Sequence, residues 1–108
     1  MKQIDKEILK GIIDILILKI IRNSKEIYGY KLAKEINDLN NGQYEIKEGT
    51  LYLALKRLTS NKYLENYWKD SNDEVRKRKY YKITTEGIIY LEEKESTLEY
   101  LSELIKRI

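Results

Sequence analysis

Between Ile12 and Ile21, eight of ten residues are apolar, and only Asp14 and Lys19 break the run. On periodicity alone, such a β-branched stretch fits a buried strand as well as a buried helix. Length decides. Ile4 and Ile8 extend the pattern toward the N-terminus, so residues 4–22 cover about five turns at ~3.6 residues each, far more than an ordinary strand. A helix apolar around most of its circumference must be covered on most sides. A chain of 108 residues is the size of one domain with one modest core. One core face cannot cover such a helix, so a second subunit is expected against its other side.

The remaining elements follow from polar punctuation, because proline is absent and glycine stands only at 11, 29, 42, 49 and 87. Residues 23–26 read as a connection. Residues 27–39 predict a second helix with Ile27, Leu32, Ile36 and Leu39 on its inner side, ended by the αL-tolerant Asn40-Asn41-Gly42. Residues 44–46 fit a brief strand. A third helix is expected over 48–60, where Leu51, Leu55 and Leu58 make a core stripe with Ala54 beside it. Its opposite face carries Gly49, Tyr52, Leu53, Lys56 and Arg57. Two alternating segments, 63–69 and 78–84, form a hairpin with a long polar tip.

Thr84 or Thr85 opens a final helix, with Glu86 in its favourable first turn. Leu91, Leu98 and Ile105 recur there every seven residues, and Leu101 and Ile108 fall three further on. This is coiled-coil spacing, flawed by Lys94 and Glu95 near its middle. At ~1.5 Å per residue the helix runs roughly 36 Å, more than so small a domain can cover.

The fold class expected is mainly α with a small β-hairpin, a winged helix-turn-helix plus a long C-terminal helix. The winged part, including the N-terminal helix, spans 1–84, and the dimerisation helix spans 85–108. Candidate dimer-forming residues are Ile13, Leu16 and Ile20 in the first helix, and Leu91, Leu98, Leu101, Ile105 and Ile108 in the last.

Composition removes most enzyme chemistry. The chain has no cysteine and no histidine, so it lacks a thiol nucleophile, the usual general base and the commonest transition-metal ligand. No catalytic residue, metal site or cofactor is expected. No apolar run reaches the ~18 residues of a membrane span, and Asp5, Glu7 and Asp14 interrupt any signal-like N-terminus. A soluble cytoplasmic protein is expected. Its net charge of +3 hides an asymmetry. Residues 1–82 hold 18 basic and 12 acidic side chains, hence +6, whereas 83–108 hold 3 basic and 6 acidic, hence −3. The first part suits a polyanion and the last does not.

In a winged helix-turn-helix the third helix enters the major groove of duplex DNA. Here its exposed face offers Tyr52, Lys56 and Arg57, with Thr50 and Lys47 near the amino end, where free N–H groups can meet a phosphate. The hairpin is more distinctive. Arg76, Lys77, Arg78, Lys79 and Lys82 place five cations in seven residues, interleaved only with Tyr80 and Tyr81. Such a tip can straddle a phosphate backbone or reach a minor groove. Edge-strand protection explains one or two lysines better than five cations. Asp70, Asp73 and Glu74 restrict contact to the basic side. Tyr67 and Trp68 are expected to pack within the hairpin.

These residues together resemble the PadR family of transcriptional regulators over essentially the whole chain. The resemblance rests on Tyr28-Gly29-Tyr30, on Gly49-Thr50-Leu51-Tyr52 with Ala54-Leu55-Lys56-Arg57-Leu58, and on Tyr67-Trp68. Arg78-Lys79-Tyr80-Tyr81-Lys82-Ile83-Thr84 with Glu86-Gly87 completes it. It implies homodimers formed by the first and last helices, and repression through pseudo-palindromic operators in double-stranded DNA. The DNA contacts it implies are Tyr30, Lys47, Thr50, Tyr52, Lys56, Arg57, Arg76, Lys77, Arg78 and Lys79. It also implies that a small, often aromatic effector releases some members. Such a pocket is expected at the dimer interface, lined by Leu9, Ile13, Leu98 and Tyr100, although the last helix has no tryptophan to stack a flat drug. Leu53 departs from the family pattern, which usually has proline there, and Lys47 stands near the usual serine cap. An exposed Leu53 either touches a thymine methyl or packs under the wing. The rival from another class is a winged-helix module that docks a protein partner without specific DNA binding.

Replacing Arg76, Lys77, Arg78 and Lys79 with alanine is expected to weaken binding to all duplex sequences and to flatten the dependence of affinity on salt. Titration at several salt concentrations checks this, and an unchanged slope would remove the hairpin from the interface.

Overall fold

Asp5 starts the first long helix, its carboxylate accepting the Glu7 and Ile8 backbone N–H groups at 3.0 and 3.1 Å. The computed structural model describes residues 2–70 and 77–108. Their order is β1 (Lys2–Gln3), α1 (Lys6–Ser24), β2 (Ile27–Tyr28), α2 (Gly29–Leu39), β3 (Tyr44–Glu45), α3 (Glu48–Ser60), β4 (Leu64–Asp70), β5 (Lys77–Ile83) and α4 (Thr85–Arg107). The helical segments and the hairpin thus stand where the apolar patterns place them, and the fold is mainly α with a winged helix-turn-helix arrangement.

The centre of α1 is the centre of the core. Ile17, Leu18 and Ile21 are each fully buried, and they join one apolar cluster with Leu32 and Ile36 of α2, Leu51, Leu55 and Leu58 of α3, Leu64 and Tyr81 of the hairpin, and Leu91 of α4. The other three helices and β5 therefore rest on this helix. Leu39, expected on the inner side of α2, is 72% exposed instead, because the helix ends there at the edge of the cluster.

Three features differ from the sequence-based expectation. Ile27 and Tyr28 do not begin α2. They form β2, antiparallel to β5 with Ile27 opposite Tyr81 and Tyr28 opposite Tyr80, so the sheet has three strands in the order β2-β5-β4. The free edge of β5 supplies main-chain partners to this dipeptide, and Ile27 is buried against the core. The second is β1, which pairs in parallel with β3. Two residues with no alternating pattern gave no sign of it. The third is Trp68, expected inside the hairpin but 63% exposed on it; a strand near the tip reaches past the core, so its inner face has nothing beneath it.

The start of α4 is fastened to the α3–β4 turn. The Thr84 hydroxyl donates to the Lys62 carbonyl at 2.7 Å and accepts the Gly87 N–H at 3.0 Å. Gly87 is required by close approach, since a Cβ there would lie 2.1 Å from the Tyr63 carbonyl oxygen. The helix then packs on α1, with Glu92 near Arg22 at 3.9 Å and Glu95 bonded to Lys19. From Ser96 onward every residue is exposed. The radius of gyration of 14.9 Å exceeds the ~13 Å of a close-packed chain of this length, as a projecting helix requires.

Gly87→Ala is expected to destabilise the protein by roughly 1–3 kcal/mol, the usual range for overpacking. Gly49→Ala, whose added carbon meets nothing within 4 Å, is expected to leave stability unchanged or slightly raised. Paired denaturant titrations of the two variants check both signs.

Candidate nucleic-acid interface

The helix-turn-helix presents α3 by its sequence pattern. Leu51, Ala54, Leu55 and Leu58 are buried, and the opposite side exposes Gly49, Leu53, Lys56 and part of Tyr52. The ring of Tyr52 leans on the start of α2, where a Cβ at Gly29 would lie 2.7 Å from it. A larger residue at 29 would require the Tyr52 ring to swing aside.

The N-termini of α2 and α3 are alike in one respect. Their caps, Tyr28 and Lys47, make no side-chain hydrogen bond to the helix, whereas Asp5 and Thr84 cap α1 and α4. The first N–H groups of both central helices therefore have no side-chain acceptor, and the helix dipole favours an anion beside them. Tyr28, Gly29, Tyr30, Tyr52, Arg78, Lys79 and Tyr81 surround an open depression of about 590 Å³ at the start of α2.

The hairpin is stiffened by aromatic rings on its outer face. Tyr80 lies edge-on to Tyr28 with centroids 5.5 Å apart and stacks with Tyr67 at 6.2 Å. Cations cover these rings. The Arg78 guanidinium sits 4.4 Å from the Tyr28 centroid, Lys69 lies 5.1 Å from Tyr80, and Lys79 lies 5.6 Å from Trp68. Glu26, in the turn before β2, accepts both the Tyr67 hydroxyl and the Lys69 ammonium. Its bonds to Lys69 and then Tyr67 hold the Glu26 carboxyl below the usual carboxylate range. The same hydrogen bond to Glu26, with some burial, pushes the Tyr67 phenol up to about 12, and Glu26 raises Lys69. Burial also raises Tyr81. Lys82 pairs across the strands with Glu65 at 3.7 Å.

The residues expected at the DNA do not all share one environment. Tyr30, Lys47, Thr50, Tyr52, Lys56, Lys77 and Lys79 are exposed, and Arg78 is half-buried over Tyr28. Arg57 is bonded to Asp14 of α1, whose second oxygen accepts the Tyr90 hydroxyl at 3.2 Å. Burial, then Asp14, raises the Tyr90 phenol, and its ring stacks on Tyr63 at 4.1 Å. Arg57 thus ties the end of α3 to α1 and α4. Arg76, Asp73 and Glu74 lie outside the described residues. Sequence reasoning missed the Asp14–Arg57–Tyr90 and Glu26–Tyr67–Lys69 clusters, because their members are far apart in the chain and none stands in a local motif.

Of the residues expected between subunits, Ile13 and Leu91 are buried in this chain's own core, and Leu16 and Ile20 are partly buried against it. Leu98, Leu101, Ile105 and Ile108 are exposed on α4. Of the expected effector liners, Leu9 and Ile13 border a second cavity of about 580 Å³ between α1 and α3, whose walls include Lys47, Thr50 and Leu53. Leu98 and Tyr100 lie elsewhere, on the projecting part of α4. Among the described residues there is no cluster of three metal-ligating side chains. No helix among them is long and apolar enough to cross a membrane.

A helix-turn-helix flanked by a basic hairpin, with a long helix beyond it, defines a winged helix-turn-helix protein. Residues 17–93 match the model of the transcriptional regulator PadR-like family, and the chain belongs to that family of regulators. It is similar to the solved structure of a Clostridium thermocellum transcriptional regulator, at 34% identity and a TM-score of 0.85, covering 95% of this chain and 98% of that one. A PadR family transcription regulator from Clostridium difficile is 37% identical with a TM-score of 0.75, over 90% and 97% of the two chains. A PadR-like regulator from Bacillus cereus is 33% identical with a TM-score of 0.79, over 94% and 95%.

The Glu26 cluster gives a pH window with a defined sign. A depressed Glu26 stabilises the hairpin above its ordinary value of 4.5, and this contribution fades as pH falls through the lower folded value. A raised Tyr67 contributes fully below its ordinary 10.0, and that part is lost as pH climbs toward about 12. Subtracting the absorbance titration of Tyr67→Phe from that of the wild type is expected to isolate one phenol ionising near 12. In Glu26→Gln the same step moves back toward 10.

Proposed function

We propose that the protein is a homodimeric, cytoplasmic repressor that binds a pseudo-palindromic operator in double-stranded DNA. One observation carries the reading. The uncapped start of α2, Tyr52 of α3 and the cations of β5 converge, so that Tyr30, Tyr52, Arg78 and Lys79 border one open depression. A helix fits the major groove, and the N–H groups and cations beside it suit the phosphates that flank that groove. In this reading α3 lies in the groove with Thr50, Tyr52 and Lys56 toward the DNA. Tyr30, Lys47, Lys77, Arg78 and Lys79 meet the backbone, and Arg76, which lies outside the described residues, is assigned there by its place in the basic run of 76–82. Arg57 serves mainly to orient α3 through Asp14.

The dimer rests on the surface that α1 and α4 leave uncovered. Leu98, Leu101, Leu104, Ile105 and Ile108 share the exposed half of α4. On α1, Ile8 is 64% exposed and Gly11 has no neighbour within 4 Å of an added Cβ, so a second helix can approach its backbone there. Exposed apolar surface of this extent favours association. We assign residues 1–84 to DNA binding and 85–108 to dimerisation, with the first turns of α4 also sealing the core. Two copies related by a two-fold axis would present their α3 helices about 34 Å apart, one turn of the duplex. The cavity between α1 and α3 offers a place where a small apolar effector would press on Thr50 and Leu53 and so release the DNA.

The test is a fluorescence-anisotropy titration with DNA from upstream of the protein's own gene, against scrambled competitor at two salt concentrations. Saturation at one dimer per site, resistant to competitor, is the expected result. Leu101→Lys with Ile105→Lys is expected to give monomers in sedimentation and to cost tenfold or more in specific affinity, about the scale of lost two-site engagement. Absence of salt-sensitive binding to any duplex would overturn the reading in favour of a protein-docking module.

A further inference from the structure

Two adjacent positions on α3 contribute nothing to the fold, and both face outward. Gly49 stands in its first turn, yet its backbone has no positive φ, and an added Cβ would meet nothing within 4 Å. A helical glycine of this kind weakens the helix relative to alanine without relieving any clash inside the molecule. Leu53, one turn further along the same face, is 69% exposed, while Leu51, Ala54, Leu55 and Leu58 are buried. It does not pack under the wing. It edges the cavity on the α1 side of α3 instead. Lys56 continues the row, so the outermost line of α3 reads glycine, leucine, lysine.

That order has a chemical meaning in the major groove. The edges of adenine, guanine and cytosine offer hydrogen-bond donors and acceptors there, and thymine alone adds an apolar group, its 5-methyl. A missing side chain at one turn lets the helix backbone approach the base edges closely. An apolar side chain at the next turn then meets that methyl, and burying both removes apolar surface from water.

We propose that Leu53 reads a thymine 5-methyl in each half-site, with Gly49 providing the clearance. This rests on the DNA-binding reading above and adds to it the base that the third helix selects. Tyr52, pressed against α2, and Arg57, bonded to Asp14, are held away from this outermost line by their intramolecular partners.

The experiment uses the full chain. Duplexes enriched by the wild-type protein from a randomised pool are resynthesised with each thymine replaced in turn by uracil, which removes only the methyl. One symmetry-related thymine per half-site is expected to lose about fourfold in affinity on this change, the scale of one buried methyl-sized group. Leu53→Ala is expected to bind the thymine and uracil forms equally at that position. Gly49→Ala is expected to weaken the selected duplex more than random DNA. Thermal unfolding of Leu53→Ala is expected to match the wild type, and that of Gly49→Ala to match or slightly exceed it, since both positions face solvent. Tolerance of uracil at every position in an enriched duplex overturns the Leu53 assignment alone, and this wild-type result does not depend on any variant folding. An undiminished uracil effect in Leu53→Ala also overturns it. Failure to enrich any duplex removes the operator reading itself, and the assignment with it.

Discussion

Burial of α1 is the constraint on which the other elements depend. Ile17, Leu18 and Ile21 are wholly inaccessible to solvent and lie in one cluster with side chains from α2, α3, the sheet and α4. Complete burial of an Ile or Leu side chain is worth about 1.5–3 kcal/mol. The helix packs against α2, α3, α4 and β5, so the relative placement of α2 and α3 depends on it. In the proposed reading that placement must be rigid, because α3 would enter a groove only if the elements around it follow the duplex surface.

Polar contacts refine what the core places. The Asp14–Arg57–Tyr90 cluster joins α1, α3 and α4, and the Glu26–Tyr67–Lys69 cluster joins the turn before β2 to the hairpin. Largely exposed ion pairs contribute little stability, so their value is geometric. The first fixes α3 against α1 and α4, and the second ties the hairpin to the turn before β2. Cations stacked on Tyr28, Tyr80 and Trp68 keep their charged groups near solvent while their stems lie on the rings. Strands β4 and β5 are thereby braced, and Arg78 and Lys79 keep charge on the side that a phosphate backbone would meet.

Some apolar surface and two glycines are left without a role inside the chain. Apolar residues continue along α4 past the last contact with α1, and the exposed glycines at 11 and 49 relieve no internal clash. Each of these features is unfavourable in an isolated chain. Each also falls where a second molecule would lie: another subunit against α1 and α4, and DNA against α3. The projecting half of α4 and the outermost line of α3 are therefore the surfaces on which the functional reading turns.

The apolar periods alone determined the helices, the hairpin and their order, because Leu51, Leu55 and Leu58 or Leu91 and Leu98 announce a face wherever the chain is helical. Charge density in 76–82 marked the hairpin for the same local reason. The third strand was not legible, since Ile27 and Tyr28 become a strand only when the edge of β5 stands beside them. That part of α4 would project was legible from its length, but the point where burial stops, after Glu95, was not. Arg57 shows the limit most clearly. Its place on the outer side of α3 follows from sequence, but its use depends on Asp14, which lies 43 residues away. Sequence sets the direction of each side chain relative to its own element, and only tertiary packing decides what stands in that direction.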